Sequence, residues 1–115
     1  MLYNTPMQII TDTMDLNEAL IKHPTSTFYL RATSNSMTGA GIYPGDLLIV
    51  DKSLEAINKT VIIAVVNGEM TVKRLRLRGD RAFLEAENEG YPPIEITDTM
   101  EGSIWGVVTH SIHSV

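Results

Sequence analysis

The chain has 115 residues, 43% of them apolar and 20% charged, with a net charge of -5 and no cysteine. That length and balance fit one soluble globular domain with a real core and exclude a long disordered chain. The missing cysteines remove disulfides, thiolate metal sites and cysteine nucleophiles, and the acidic balance argues against binding nucleic acid with the whole surface.

Residues 1–14 are mixed and aperiodic and read as an extended N-terminal arm, with residues 15–115 as the folded domain. No targeting segment is evident, and the apolar runs at 47–50 and 61–66 are far too short to cross a bilayer, so a cytoplasmic location is expected. Asp15 followed by Glu18 has the form of a capping box, and Leu16 with Leu20 gives an apolar edge. A short helix is therefore expected over 15–22, stopped by Pro24.

Everything downstream reads as β structure. Runs rich in branched and aromatic residues predict strands at 28–32, 46–51, 60–66, 70–78, 82–87, 94–97 and 103–112. Pro44-Gly45 between Tyr43 and Asp46 signals a type II turn, and Asn67-Gly68 a type I′ hairpin. The fold class expected is mainly β with one short N-terminal helix.

In the run 70–78 the side-chain period of two places Thr71, Lys73, Leu75 and Leu77 on one face and Met70, Val72, Arg74, Arg76 and Arg78 on the other. A lysine aligned with leucines must snorkel to water, pair with a carboxylate or lose its proton. A free lysine is neutral in only about one molecule in 2,500 at pH 7, and desolvation can raise that fraction enough to make a general base. Ser36, in the polar stretch "ATSNSMTGAG", is a candidate nucleophile for such a base, beside glycines that leave backbone N–H groups free for an oxyanion. An ordinary loop serine is the competing reading.

The remaining polar residues have plainer readings. His23, His110 and His113 do not have metal-ligand spacing and read as surface or partly packed histidines. Trp105 beside Gly106 reads as core or dimer-interface filling. Arg74, Arg76, Arg78 and Arg81 could touch DNA or an acidic partner, but a solvated strand face is the better reading.

A wider set of residues resembles a known family. Ser36-Met37, Gly41-Ile42, the run 45–51, Ile62 to Ala64, Gly68-Glu69 and Thr71 to Leu75 look like the catalytic domain of the LexA/UmuD self-cleaving serine peptidases, peptidase family S24. Asn88, Tyr91 and Pro93-Ile94 match that family's Asn-x-x-Tyr-x-Pro-Ile segment, and the Gly106 to Val108 run its final strand. The resemblance implies a LexA/signal-peptidase-like fold of coiled, strongly twisted β-sheets. It implies Ser36 as nucleophile, Lys73 as general base, the backbone N–H groups of Ser36 and Asn35 as oxyanion donors, Met37 packed beside the site, and no metal or cofactor.

Two departures accompany it. Ser34-Asn35 stands where the family usually has Gly-Asp. The Ala-Gly or Cys-Gly scissile pair that the family carries upstream of the domain is not found there, and Ala40-Gly41 lies inside the proposed site loop, where its expected role is structural. Counting back from Ser36, Met1 falls near the start of the processed form of the UmuD branch, so the chain is expected to be that form. The resemblance then implies an accessory subunit of an error-prone translesion DNA polymerase in the SOS response. Its implied partners are a second copy of itself, a Y-family polymerase catalytic subunit (UmuC-like) and the RecA filament, with DNA only indirectly and no membrane. The alternatives are the peptidase domain of a LexA-like or phage repressor and, more remotely, a signal-peptidase-like hydrolase.

Overall fold

Both short turns read from the sequence are formed. In the computed structural model, which describes residues 6–97 and 103–115, Asp46 N–H donates to Tyr43 O at 3.0 Å. Gly45 there has φ of 95°, a conformation that the third position of a type II turn demands and glycine adopts without strain. Asn67 and Gly68 have φ of 51° and 80°, the type I′ pair expected of a two-residue hairpin, and Val66 faces Glu69 across it.

The strands so connected are β1 (Thr27–Arg31), β2 (Leu47–Asp51), β3 (Val61–Val66), β4 (Glu69–Arg78), β5 (Arg81–Glu85), β6 (Ile94–Ile96) and β7 (Ile104–Ile112). They form one seven-stranded sheet in the order β1-β2-β7-β3-β4-β5-β6, and every neighbouring pair is antiparallel. The last strand in sequence thus lies near the middle and joins the β1-β2 half to the β3-β6 half. Register shifts at Ile49/Val50 and at Ile63/Ala64 mark both of its borders, and bulges of this kind bend and coil a sheet. The mainly-β expectation is borne out.

The one α-helix among the described residues, α1, spans Leu16–Leu20, shorter than the stretch expected from the sequence. Asp15 caps it, but its side chain accepts from the Asn17 N–H at 2.9 Å, and Ile21 is already extended, so the helix closes before Pro24. The sheet is packed on both faces around its centre. Met37, Ile42, Leu48, Val50, Ile63 and Val72 form one apolar cluster, and Ile62, Ala64, Leu75, Leu84 and Val107 form the other. Adjacent residues of β3 alternate between them: Ile63 opposes Val72, while Ile62 opposes Lys73.

This double packing corrects one part of the reading of β4. Val72 shares a face with the arginines, yet it is buried, and Leu77, on the leucine face, is 42% exposed near the strand's end. The arginines are ion-paired across strands: Arg74 with Glu87, Arg76 and Arg78 with Glu85, and Arg81 with Glu95. An array of pairs, not a free basic stripe, covers this part of the sheet. Trp105 packs against the first cluster, with the Phe28 ring edge-on at 5.4 Å and the Lys52 ammonium 4.5 Å above it.

Candidate active site

The loop after β1 is anchored before it reaches Ser36. Ala32 N–H donates to Asp46 O and Gly45 N–H to Ala32 O, tying the strand exit to the type II turn. The chain then passes Thr33 to Ser36 and enters a short 3-10 turn at Thr38–Ala40. Ser36 and Met37 are fully buried, Met37 within the first apolar cluster. Beyond that, Met37 O accepts from the N–H groups of Ala40 and Ile42, so the residue after the serine is fixed by backbone bonds and core packing together.

A second segment, following β5, holds the same loop from the other side. Glu87 N–H donates to Ser36 O at 2.8 Å, and Gly39 N–H donates to Glu87 O at 2.6 Å. A Cβ on Gly39 would come within 2.5 Å of that Glu87 carbonyl oxygen, so only glycine permits the approach. Asn88 Nδ2 donates to Asn35 O at 2.8 Å, and the Tyr91 hydroxyl donates to Asn35 Oδ1 at 2.5 Å. In a trans peptide the carbonyl oxygen and the next N–H point opposite ways, so holding Asn35 O also aims the Ser36 N–H.

Lys73 comes to this loop from the middle of β4 and is 7% exposed. Its Nζ lies 3.1 Å from Ser36 Oγ, 3.0 Å from Thr71 Oγ1 and 3.3 Å from Val72 O. No carboxylate pairs with it among the described residues, and burial holds its pKa below the ordinary lysine value. Three acceptors match the three N–H bonds of an ammonium. If the amine is neutral, two N–H bonds stay on Thr71 and Val72 while its lone pair faces the Ser36 hydroxyl. The arrangement can therefore accept a proton from Ser36 without rebuilding its other contacts.

Ser36 Oγ has two further neighbours, Ser34 Oγ at 3.2 Å and Val72 O at 3.4 Å. Ser34 Oγ also lies 3.5 Å from the Ser36 amide nitrogen. A cleft of about 550 Å³ is lined by Ala32, Ser34, Ile63, Thr71 and Val72. A hollow of about 270 Å³ is lined by Thr71, Lys73, Tyr91 and Ile94. The two share Glu69 and Thr71, and Lys73 faces the second, while Ser36 itself is buried beneath the surface.

Ser36, Lys73, Asn35 and Met37, singled out in the sequence, are thus brought together. Thr71, the Val72 carbonyl and the Asn88-Tyr91 clamp were not assigned roles there. Thr71 was legible as the residue two before Lys73 on the same strand face, whereas the clamp joins segments far apart in sequence. The histidines lie elsewhere: His23 and His113 each bond through Nδ1 to a buried aspartate, Asp51 and Asp46, at 2.6 Å. Among the described residues no group of His, Cys, Asp and Glu is placed to hold a metal ion, and no helix is long and apolar enough to cross a membrane.

Residues 3–109 match the Peptidase S24-like family, a class of serine peptidases. The chain belongs to that family. It is 41% identical over 100 residues to Protein MucA of Salmonella typhimurium, covering 86% of this chain and 68% of MucA. To Protein ImpA of Salmonella typhimurium it is 43% identical over 100 residues, 87% of this chain and 68% of ImpA. The LexA repressor of Shewanella oneidensis is 43% identical over 91 residues, 75% of this chain and 44% of the repressor. The family resemblance read from the sequence is borne out.

Proposed function

We propose that this chain is a UmuD′-like accessory subunit of an error-prone translesion polymerase in the SOS response, carrying a Ser-Lys peptidase site. The observation that supports the site is the 3.1 Å approach of Lys73 Nζ to Ser36 Oγ, in a setting that depresses the lysine pKa. In this reading Lys73 takes the hydroxyl proton as Ser36 Oγ bonds to the peptide carbonyl carbon. The carbonyl π electrons move onto oxygen, and the Ser36 N–H, with that of Asn35, holds the resulting oxyanion. Collapse expels the amine, which takes the proton from Lys73, and water then releases the acyl group by the same route.

Residues 1–14 form the arm and residues 15–115 the peptidase domain in this proposal. The chain acts in the cytoplasm as a homodimer, joins a UmuC-like Y-family catalytic subunit and responds to the RecA filament. Similarity to MucA and ImpA over most of the chain supports the accessory branch. The 43% identity to a LexA repressor supports the second reading, a repressor's peptidase domain.

A serine-directed phosphonate tests the site. It should label Ser36 at alkaline pH, and Lys73→Ala should abolish that labelling. Co-purification with a Y-family polymerase tests the role, and failure to bind one favours the repressor reading.

A further inference from the structure

Ser34 is the residue at which this chain departs from the glycine usual before the nucleophile motif, and its hydroxyl sits inside the reacting constellation. Its Oγ is 3.2 Å from Ser36 Oγ and 3.5 Å from Ser36 N, so it lies on the side of the nucleophile toward which the Ser36 N–H points. The amide contact is at the limit of a hydrogen bond and is readily exchanged for a better acceptor. Asn88, by fixing the Asn35 carbonyl, holds the intervening peptide, so the two groups keep this relationship. Ser34 is itself exposed and lines the larger cleft together with Thr71 and Val72, so its hydroxyl is open to an arriving ligand.

We propose that Ser34 is an oxyanion-binding residue of this site, its Oγ–H donating to the tetrahedral oxygen beside the Ser36 N–H. This rests on the Ser-Lys reading. At rest the hydroxyl has Ser36 Oγ and Ser36 N as neighbours. When Lys73 removes the Ser36 proton and Oγ bonds to the carbonyl carbon, negative charge grows on the former carbonyl oxygen. Ser34 then turns its O–H onto that oxygen, and no proton changes owner. A hydroxyl at Ser34 in this way adds a side-chain donor to a hole otherwise made of backbone N–H groups.

The test is the labelling rate of the full chain with the serine-directed phosphonate, whose P–O bond presents the same developing charge. Ser34→Ala and Ser34→Gly should label about a hundred- to a thousand-fold more slowly than wild type, the scale of losing one such donor. Ser34→Thr, which keeps the hydroxyl, should stay within a few-fold, and thermal midpoints of all three should match wild type. Labelling of the Ala and Gly variants at the wild-type rate would overturn the proposal, as would a Thr variant as slow as Ala. In either case slow labelling of Lys73→Ala leaves the Ser-Lys reading standing, whereas unchanged labelling of Ser36→Ala removes both.

Discussion

Thr71 Oγ1 lies 3.0 Å from Lys73 Nζ, two residues along the same face of one strand. The bond holds the amine on a short tether, so its remaining valence is directed at Ser36. Replacing Thr71 by valine keeps the branched shape suited to a strand and removes only the acceptor. One such hydrogen bond contributes about 0.5–1.5 kcal/mol. Phosphonate labelling of Thr71→Val should therefore slow by up to about ten-fold, with the fold intact by circular dichroism. An unchanged rate would show that strand geometry alone aims the lysine.

Burial lowers the Lys73 pKa, and this has consequences of two kinds. The labelling rate should rise with pH and level off once the amine is neutral, at a midpoint below that of an exposed lysine. For stability the sign is the reverse of a salt-bridged lysine. The unfolded chain binds the proton more tightly, so the folded state is penalised below the folded pKa, and stability recovers as pH rises toward the unfolded value. Lys73→Met removes the buried amine and should leave the urea midpoint at pH 7 equal to or above wild type while abolishing labelling. A midpoint well below wild type would mean that the bonds to Thr71 and Val72 outweigh desolvation.

Much of the candidate site is legible in the sequence. Alternation along 70–78 put Lys73 among leucines, and Pro44-Gly45 and Asn67-Gly68 fixed the turns on which the strand register depends. What escaped has a common physical cause, since it depends on pairing between distant segments. The strand expected to run to 87 stops at Glu85, because the Glu87 backbone leaves the sheet to bond Ser36 and Gly39. Val72 shares the arginine face in the sequence, and period two assigns faces but does not reveal that both are covered. The arginines looked free because their glutamate partners lie on β5, on β6 and just beyond β5.

The clamp on the nucleophile loop yields a further pair of variants. Asn88→Ala frees the Asn35 carbonyl and so the orientation of the Ser36 N–H, while Tyr91→Phe removes only the bond to the Asn35 side chain. Each should cost about 1 kcal/mol of stability. Asn88→Ala should slow labelling more than Tyr91→Phe, because only the former lets the peptide that carries the oxyanion donor turn. Equal effects would place the importance of the segment in general packing.

Gly39 should tolerate no side chain. Its missing Cβ makes room for the Glu87 carbonyl, which cannot move without breaking the bond from Glu87 N–H to Ser36 O. Gly39→Ala should lose about 1–3 kcal/mol in urea unfolding, the usual scale for overpacking, and label slowly. Gly41→Ala is the informative comparison, because a Cβ there meets nothing and the cost comes only from a φ of 82°. If Gly39→Ala labels as fast as Gly41→Ala, the junction between the loop and the segment after β5 does not position the serine.

Acid should attack the two ends of β2. Asp46 accepts from the Tyr43 N–H and pairs with His113, and Asp51 accepts from Ser53 through both Oγ and N–H and pairs with His23. In Asp46 the Tyr43 backbone bond, and in Asp51 the Ser53 hydroxyl, is the main cause holding the carboxyl below its ordinary pKa, with the histidines adding to both. Carboxylates shifted down contribute stability that is fully present above the unfolded value near 3.9 and is lost as pH falls through the folded value. Wild-type urea midpoints should fall steeply below about pH 4. Asp46→Asn with Asp51→Asn should begin lower at pH 7 and decline less on acidification. An acid slope identical to wild type in the double variant would assign the loss to the exposed carboxylates instead.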